Sequence, residues 1–208
     1  MALGNSNNVI AGVPDVSGGL WVGDVITDPT AYPDATIDLA TVGSLIPVGY
    51  VGEDGITETN ERATDKKRAW GGDVVRVLQT EHTQTFGFTL IESGNPDVLK
   101  LVYGEDNVTV EEGTGNVMIT QNSQVLGHRS FVFEMLDGDT RIRKFIPDGQ
   151  IIETGEITWV HSDIAMHTIT VEAFADSDGV KVYTYYVNDA DGSVNSDDPR
   201  VDGGEGGN

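Results

Sequence analysis

The clearest pattern along the chain is an alternation of period two. In residues 83–91, TQTFGFTLI, Phe86, Phe88 and Leu90 fall on one side and Thr85, Gly87 and Thr89 on the other, as in a half-buried β-strand. The preceding VVRVLQTE at 74–81 continues the strand, with a turn or bend expected near Glu81 and His82. Residues 131–136 and 140–146 flank Asp137-Gly138, a hairpin signal, and residues 166–174 and 180–187 flank a second turn at Asp176-Ser177-Asp178-Gly179. Weaker strands are expected at 116–121 and 156–160. SLIPVGYV at 44–51 predicts the first strand, and Pro47, which has no N–H for a ladder, places it at an edge or strand end. One segment carries the helical period: 96–103, with Asn95 as cap, Pro96 at the first helical position, Gly104 just past the end, and Val98, Leu99, Leu101 and Val102 on one face. The pattern predicts a mainly β body of antiparallel strands with one short helix, whose apolar face takes Phe86, Phe88 and Leu90.

Three segments fall outside this pattern. Residues 1–43 read as an N-terminal arm, broken by Gly12, Pro14, Gly18, Gly19, Pro29 and Pro33, with Trp21 as the side chain that would dock it. Residues 52–72 read as a long polar loop inside a body spanning 44–187; a structureless loop of that length is unusual in a compact domain and is more often functional or disordered. Residues 188–208 are acidic and glycine-rich and read as a flexible tail.

Charge sharpens the picture. The 208 residues hold 34 acidic and 12 basic side chains, for a net charge of −22 and a pI near 4.2. Such a chain repels nucleic acid and anionic membranes over a Debye length of about 8–10 Å, which argues against tight DNA binding. No cysteine is present, the N-terminal MALGNSNNVIAG has no secretory pattern, and no apolar run reaches the length of a membrane helix. No catalytic, cofactor or metal constellation emerges. His82, His128, His161 and His167 lack ligand spacing, and Asp176–Gly179 and Asp189–Gly192 lack the further ligands of a calcium loop. No phosphate-cradling loop or nucleophile motif is found either, so an enzyme is the least favoured class.

The exception to the acidity is its distribution. Arg62, Lys66, Lys67 and Arg68 fall within seven positions of the polar loop, and Arg141, Arg143 and Lys144 form a second cluster on a hairpin arm. Together they hold seven of the 12 basic residues. Positive patches on a negative molecule suit contact between copies, where charge sets register and orientation, and head-to-tail contacts of that kind build rings and stacks. Trp70 either ends the loop against the core or anchors a contact between subunits.

The order of motifs resembles a known family. GGLWVGDV at 18–25, LIPVGYVGEDGIT at 45–57, AWGGDVVRVL at 69–78 and FTLIESGNPDVLKLVYG at 88–104 resemble the major tail protein, or tail tube protein, of long, non-contractile-tailed phages, particularly those of actinobacteria. The resemblance covers roughly 18–187. It implies an antiparallel β-sandwich or barrel-like tail tube fold with a flanking helix, and rings of six in which neighbouring copies complete an inner β-barrel. Those rings would stack into a hollow tube around a tape-measure protein, with tail terminator and tail-tip proteins at the ends, and double-stranded DNA would later pass through without tight binding. The protein would reside in the virion after assembly in the host cytoplasm. By the same resemblance 52–72 becomes the stacking loop, with Arg62, Lys66, Lys67, Arg68, Trp70 and Trp21 as contacts between rings or subunits. Gln79, Glu81, Thr83 and Thr85 are the lumen-lining candidates. A tail terminator or tail-tip ring protein stays open as an alternative, as does an extracellular Ig-like or carbohydrate-binding module.

Overall fold

The structure is a computed structural model that describes residues 10–14 and 19–188. Its strands are β1 (Val13–Pro14), β2 (Leu20–Gly23), β3 (Ile46–Pro47), β4 (Val51–Arg68), β5 (Val74–Leu90), β6 (Val108–Val110), β7 (Val117–Ile119), β8 (Arg129–Asp137), β9 (Thr140–Thr154), β10 (His167–Phe174) and β11 (Tyr183–Asn188). One helix, α1 (Pro96–Tyr103), follows β5. The main sheet is antiparallel in the order β3-β2-β8-β9-β10-β5-β4, with β1 extending β2 along β8 and β11 extending β10 along β9. β6 and β7 form a separate pair.

The sheet is open and curls over its own core. Phe86 and Phe88 of β5 meet Phe133 of β8, three places away in strand order, at ring separations of 5.4 and 5.5 Å. Leu90, Phe131, Ile146, Ile169, Val171 and the α1 residues Val98 and Val102 fill the same cluster. The helix starts as its sequence dictates: Asn95 accepts a hydrogen bond from the Asp97 N–H, and Gly104 ends it at φ 93°, a conformation open to glycine. Leu101 packs against the cluster as a partly buried neighbour. Leu99 is buried outside it.

A second core lies on the outer face of β8 and β9. Tyr32, Leu39 and Leu45 close over Val132 and Phe145, with Trp21, Ile26, Val42, Tyr183 and Tyr185 at its margin. The described residues of the expected arm, from 19 onward, are thus folded onto their own sheet: β2 pairs with β8 over Leu20↔Phe133 to Gly23↔Ser130. Residues 1–9, 15–18 and the expected tail from 189 lie outside the described residues.

Several expectations from the sequence are corrected. Residues 52–72 are not a loop. They form most of an 18-residue strand and a tight turn, paired with β5 from Ile56↔Phe88 to Arg68↔Val74. No bend interrupts β5 at Glu81-His82; instead the register with β4 shifts between Ala63 and Thr64, leaving Thr80 as an extra residue. The 44–51 strand is split, because Gly49 turns the chain at φ 84° between β3 and β4. Residues 156–160 are not a strand. The turn at Asp176–Gly179 does not reverse the chain either: β10 and β11 both run antiparallel to β9, so 175–182 is an excursion between two collinear strands.

Candidate assembly surface

β4 and β5 outrun the rest of the sheet. β10 accompanies β5 only as far as Glu172↔Thr85. From Gln84 outward no third strand pairs with β4 and β5, over about 33 Å at a strand rise of ~3.3 Å per residue. From Thr57 onward every β4 residue is exposed. The ribbon ends in a turn where the Ala69 N–H donates to the Asp73 carbonyl and the Gly72 N–H to the Ala69 carbonyl, each at 2.8 Å. Gly72 takes φ 90° there, and Arg68 Nη1 donates to its carbonyl at 2.9 Å.

Four of the predicted contact residues sit on this ribbon. Arg62 pairs across to His82, Lys66 to Val77, Lys67 to Arg76 and Arg68 to Val74. Between residues 62 and 76 five bases stand against Asp65 and Asp73, a net charge of +3 that leaves −25 for the remaining chain. Trp70 stands at the tip, wholly exposed, so the reading in which it caps the core is excluded. Val74, Val75 and Val77 beside it are exposed too. At the root, Gln84 Nε2 and Lys144 Nζ donate to the two oxygens of Glu58 at 2.8 and 2.6 Å, and Lys181 Nζ donates to the His82 carbonyl at 2.6 Å. His82 is held below the usual imidazole range by desolvation, then by Arg62 and Lys181.

The second basic cluster does not join this surface. Arg143 is fully buried and Arg141 nearly so; both bond to the Glu134 carboxylate, Arg141 at 3.0 Å. Arg143 also donates to the backbone carbonyls of Asp34 and Ile37, the latter at 2.7 Å. These positions share the β9 face of Phe145, which the 24–45 segment covers, so their charge serves the inside of the chain. Only Lys144, on the opposite face, reaches the ribbon. Trp21 is likewise half-buried at the margin of the second core, within its own chain.

The lumen candidates divide. Glu81, Thr83 and Thr85 pair with Ala63, Glu61 and Thr59 and share one face. Gln79 pairs with Thr64, beyond the extra residue Thr80, where the alternation is interrupted. The polar face continues through Gly87 and Thr89 onto Thr168, Thr170 and Glu172 of β10, with Thr89 Oγ1 and Thr168 Oγ1 3.1 Å apart. Thr168, Thr170 and Glu172 were not among the lumen candidates, although their alternation with the buried His167, Ile169, Val171 and Ala173 is a legible period of two.

A cleft beside α1 contains Arg129 and Lys100, but Arg129 already binds Asp24 and Glu105 at 2.8 and 2.6 Å. Among the described residues no three potential metal ligands gather, and no helix is long and apolar enough to cross a membrane.

A family model described as "Phage tail tube protein" matches residues 1–196. The chain belongs to the phage tail tube protein family. It is therefore a structural component of the virion, of the tail tube or a part related to it, and not a member of an enzyme family. No curated protein matches the sequence. Among solved structures, this tail tube family member is similar to a chain of the "PVC sheath-tube complex in extended state" of an extracellular contractile injection system. The two share 10% identity over 84% of this chain and 92% of that one, at a TM-score of 0.44. The anti-feeding prophage "tube terminating cap" gives 8% identity over 90% and 100%, at 0.45. Likenesses this slight add nothing to the family assignment.

Proposed function

We propose that this tail tube protein polymerises as stacked, hexameric rings into the tube of a long, non-contractile phage tail, of the kind carried by phages of actinobacteria. The tube forms around a tape-measure protein, meets terminator and tail-tip proteins at its ends, and conducts double-stranded DNA. The observation that carries this reading is the β4–β5 ribbon. A two-stranded ribbon with both faces in water is marginal by itself, and its outer edges are templates for further pairing. Set on a body with two buried cores, it makes sense as a part completed by another copy. Its basic residues meet the acidic surface of the next ring, and Trp70 and its valine neighbours supply apolar contact.

The polar face of Glu81, Thr83, Thr85, Thr89, Thr168, Thr170 and Glu172 suits a channel wall. Threonine hydroxyls keep it wet, and the carboxylates and the overall charge of −22 per copy repel a phosphate backbone, so DNA slides without sticking. Electron microscopy of the purified protein tests the proposal. Smooth hollow rods with a regular axial repeat support it; single rings that never stack would assign the chain to a terminator or tip position; monomers at every concentration would refute it.

A further inference from the structure

β5 carries a different surface at each end. Its first residue, Val74, belongs to the basic tip beside Trp70. Its last residue, Leu90, pairs with His167 at the start of β10, and Thr154 at the end of β9 pairs with Ile169. The 155–166 connection from β9 to β10 therefore lies at the far end of the same strand. At a rise of ~3.3 Å per residue the strand puts roughly 50 Å between them, so no chain lays its tip on its own connection.

This connection is held at its root and bare beyond it. The Gly155 N–H donates to the Thr168 carbonyl at 2.7 Å, and Ile157 lines a cleft with Val102 and Tyr103 of α1. Trp159 is 78% exposed, and Val160, Ile164 and, near the end of β9, Ile152 are each about half exposed. Single exposed apolar residues are ordinary, but a Trp with three aliphatic neighbours in one short segment suits a contact surface. The 152–164 segment also holds Glu153, Glu156 and Asp163 and no Lys or Arg, a net charge of −3. Among the described residues none of these carboxylates is paired with a base; Asp163 accepts only from the Ile164 N–H, at 2.8 Å.

A surface of this kind calls for a partner with exposed cations among exposed apolar groups. Every exposed Lys or Arg among the described residues is on the ribbon: Arg62, Lys66, Lys67, Arg68 and Arg76. Trp70, Val74, Val75 and Val77 stand among them. The ribbon at +3 and the segment at −3 thus match in charge and in apolar content. Since they sit at opposite ends of β5, each copy can offer one and receive the other. Such a head-to-tail contact always leaves a free end, and it repeats as an open stack where the rotation does not close.

We propose that residues 152–164 are the surface that receives the ribbon tip of a second copy, with Trp70 against Trp159 and the bases of the ribbon against Glu153, Glu156 and Asp163. The assignment rests on the assembly reading above and identifies the acidic surface that the ribbon meets.

The chain has no cysteine, which makes disulfide trapping specific. Gly71→Cys puts a thiol at the tip, where a side chain meets open space, and Ser162→Cys puts one on the acceptor. Met118→Cys on β7 is an exposed control. Equal mixtures of full-length single variants are left to assemble, oxidised, and read as dimers on a non-reducing gel, with electron microscopy of the same samples. The 71–162 dimer is expected at about ten-fold the yield of the 71–118 or 71–71 dimer, because contact raises the effective concentration of the paired thiols. Charge supplies a second test. Glu153→Lys with Glu156→Lys takes the segment from −3 to +1 and should stop tubes at low salt. Adding Lys66→Glu, Lys67→Glu and Arg68→Glu to the same chain should restore them, which no folding defect would allow; absence of recovery would overturn the charge pairing. Tubes without the 71–162 dimer would overturn the acceptor and leave the stacking reading intact. A dominant 71–71 dimer would put tip against tip and overturn the head-to-tail contact. Monomers at every concentration would overturn the assembly reading and the acceptor together.

Discussion

Arg143 and Glu134 face each other as register partners on β9 and β8 and form an ion pair sealed from water, with Arg141 bound to the same carboxylate. Removal of the carboxylate leaves the buried Arg143 guanidinium without its counter-charge, whereas removal of Arg143 leaves Glu134 bound to Arg141, so loss of the anion costs more than loss of Arg143. Glu134→Ala is expected to destabilise the fold by about 3–5 kcal/mol. Arg143→Met leaves Glu134 with Arg141, but frees the carbonyls of Asp34 and Ile37. It should cost less globally and loosen the 34–42 segment selectively. Urea unfolding of both variants, with amide exchange across 34–42, checks the order of effects.

Asp176 ties the excursion between β10 and β11 to the N-terminal segment. Its carboxylate accepts from the Tyr183 and Tyr32 hydroxyls at 2.7 and 3.1 Å and from the N–H groups of Asp178 and Val180 at 2.9 Å. Burial pushes its pKa up, but these bonds together outweigh burial and hold it below the ordinary carboxylate value. A group lowered on folding stabilises above its unfolded pKa, about 3.9, and the contribution is lost as pH falls through the lowered value. Tyr32 is pushed up to about 12, by burial first and then by Asp176. Its contribution is full below the unfolded value of about 10 and is lost as pH rises toward about 12. Asp176→Ala should cost ~1–3 kcal/mol at neutral pH, and the gap between the two proteins should narrow as pH falls below the ordinary carboxylate range. Urea midpoints of the two proteins from pH 2 to 8 measure the convergence.

His167 is buried against Tyr103, ring centroids 5.9 Å apart at 90°. Desolvation lowers its pKa, opposed by a hydrogen bond with the Ser93 backbone. The unfolded chain therefore takes the proton first, near pH 6.5. Stability from this site is complete above that pH and is lost as pH drops toward the lowered value. Relative to His167→Leu, the parent protein should lose thermal stability between pH 7 and 5. Parallel melting curves over that range would refute a neutral buried imidazole.

How far the sequence discloses this architecture depends on burial. Phe86, Phe88 and Leu90, the Asp137-Gly138 turn and the Asn95–Gly104 helix were legible because a one-sided core or a cap writes its own pattern. β4 was not, because from Thr57 onward none of its side chains is buried, and a strand with two wet faces has no alternation to read. Its partner β5 supplies the register instead. Arg143 was misplaced for the converse reason: Arg on a strand reads as surface unless Glu134 opposite it and the carbonyls of 34–37 above it are known, and those come from distant sequence. The segment from Tyr32 to Leu45 is hard to read for a related reason: Tyr32, Leu39 and Leu45 are too widely spaced for a periodic signal but converge on Phe145.

The ribbon predicts a separation between folding and assembly. Lys66, Lys67, Arg68 and Trp70 are all exposed and touch neither core. Substitutions there should move monomer stability by less than about 0.5 kcal/mol. Reversal of Lys66, Lys67 and Arg68 to Glu takes the 62–76 stretch from +3 to −3. Two acidic surfaces then oppose each other, a repulsion that acts within a Debye length of about 10 Å and grows as salt is lowered. The variant is expected to remain a folded monomer by circular dichroism and to form no tubes at low salt, with partial recovery at high salt. Trp70→Ala removes apolar contact without charge, so its loss of assembly should be insensitive to salt. Full-length tubes at ordinary yield from the triple reversal in low salt would remove the ribbon's charge from the assembly contact.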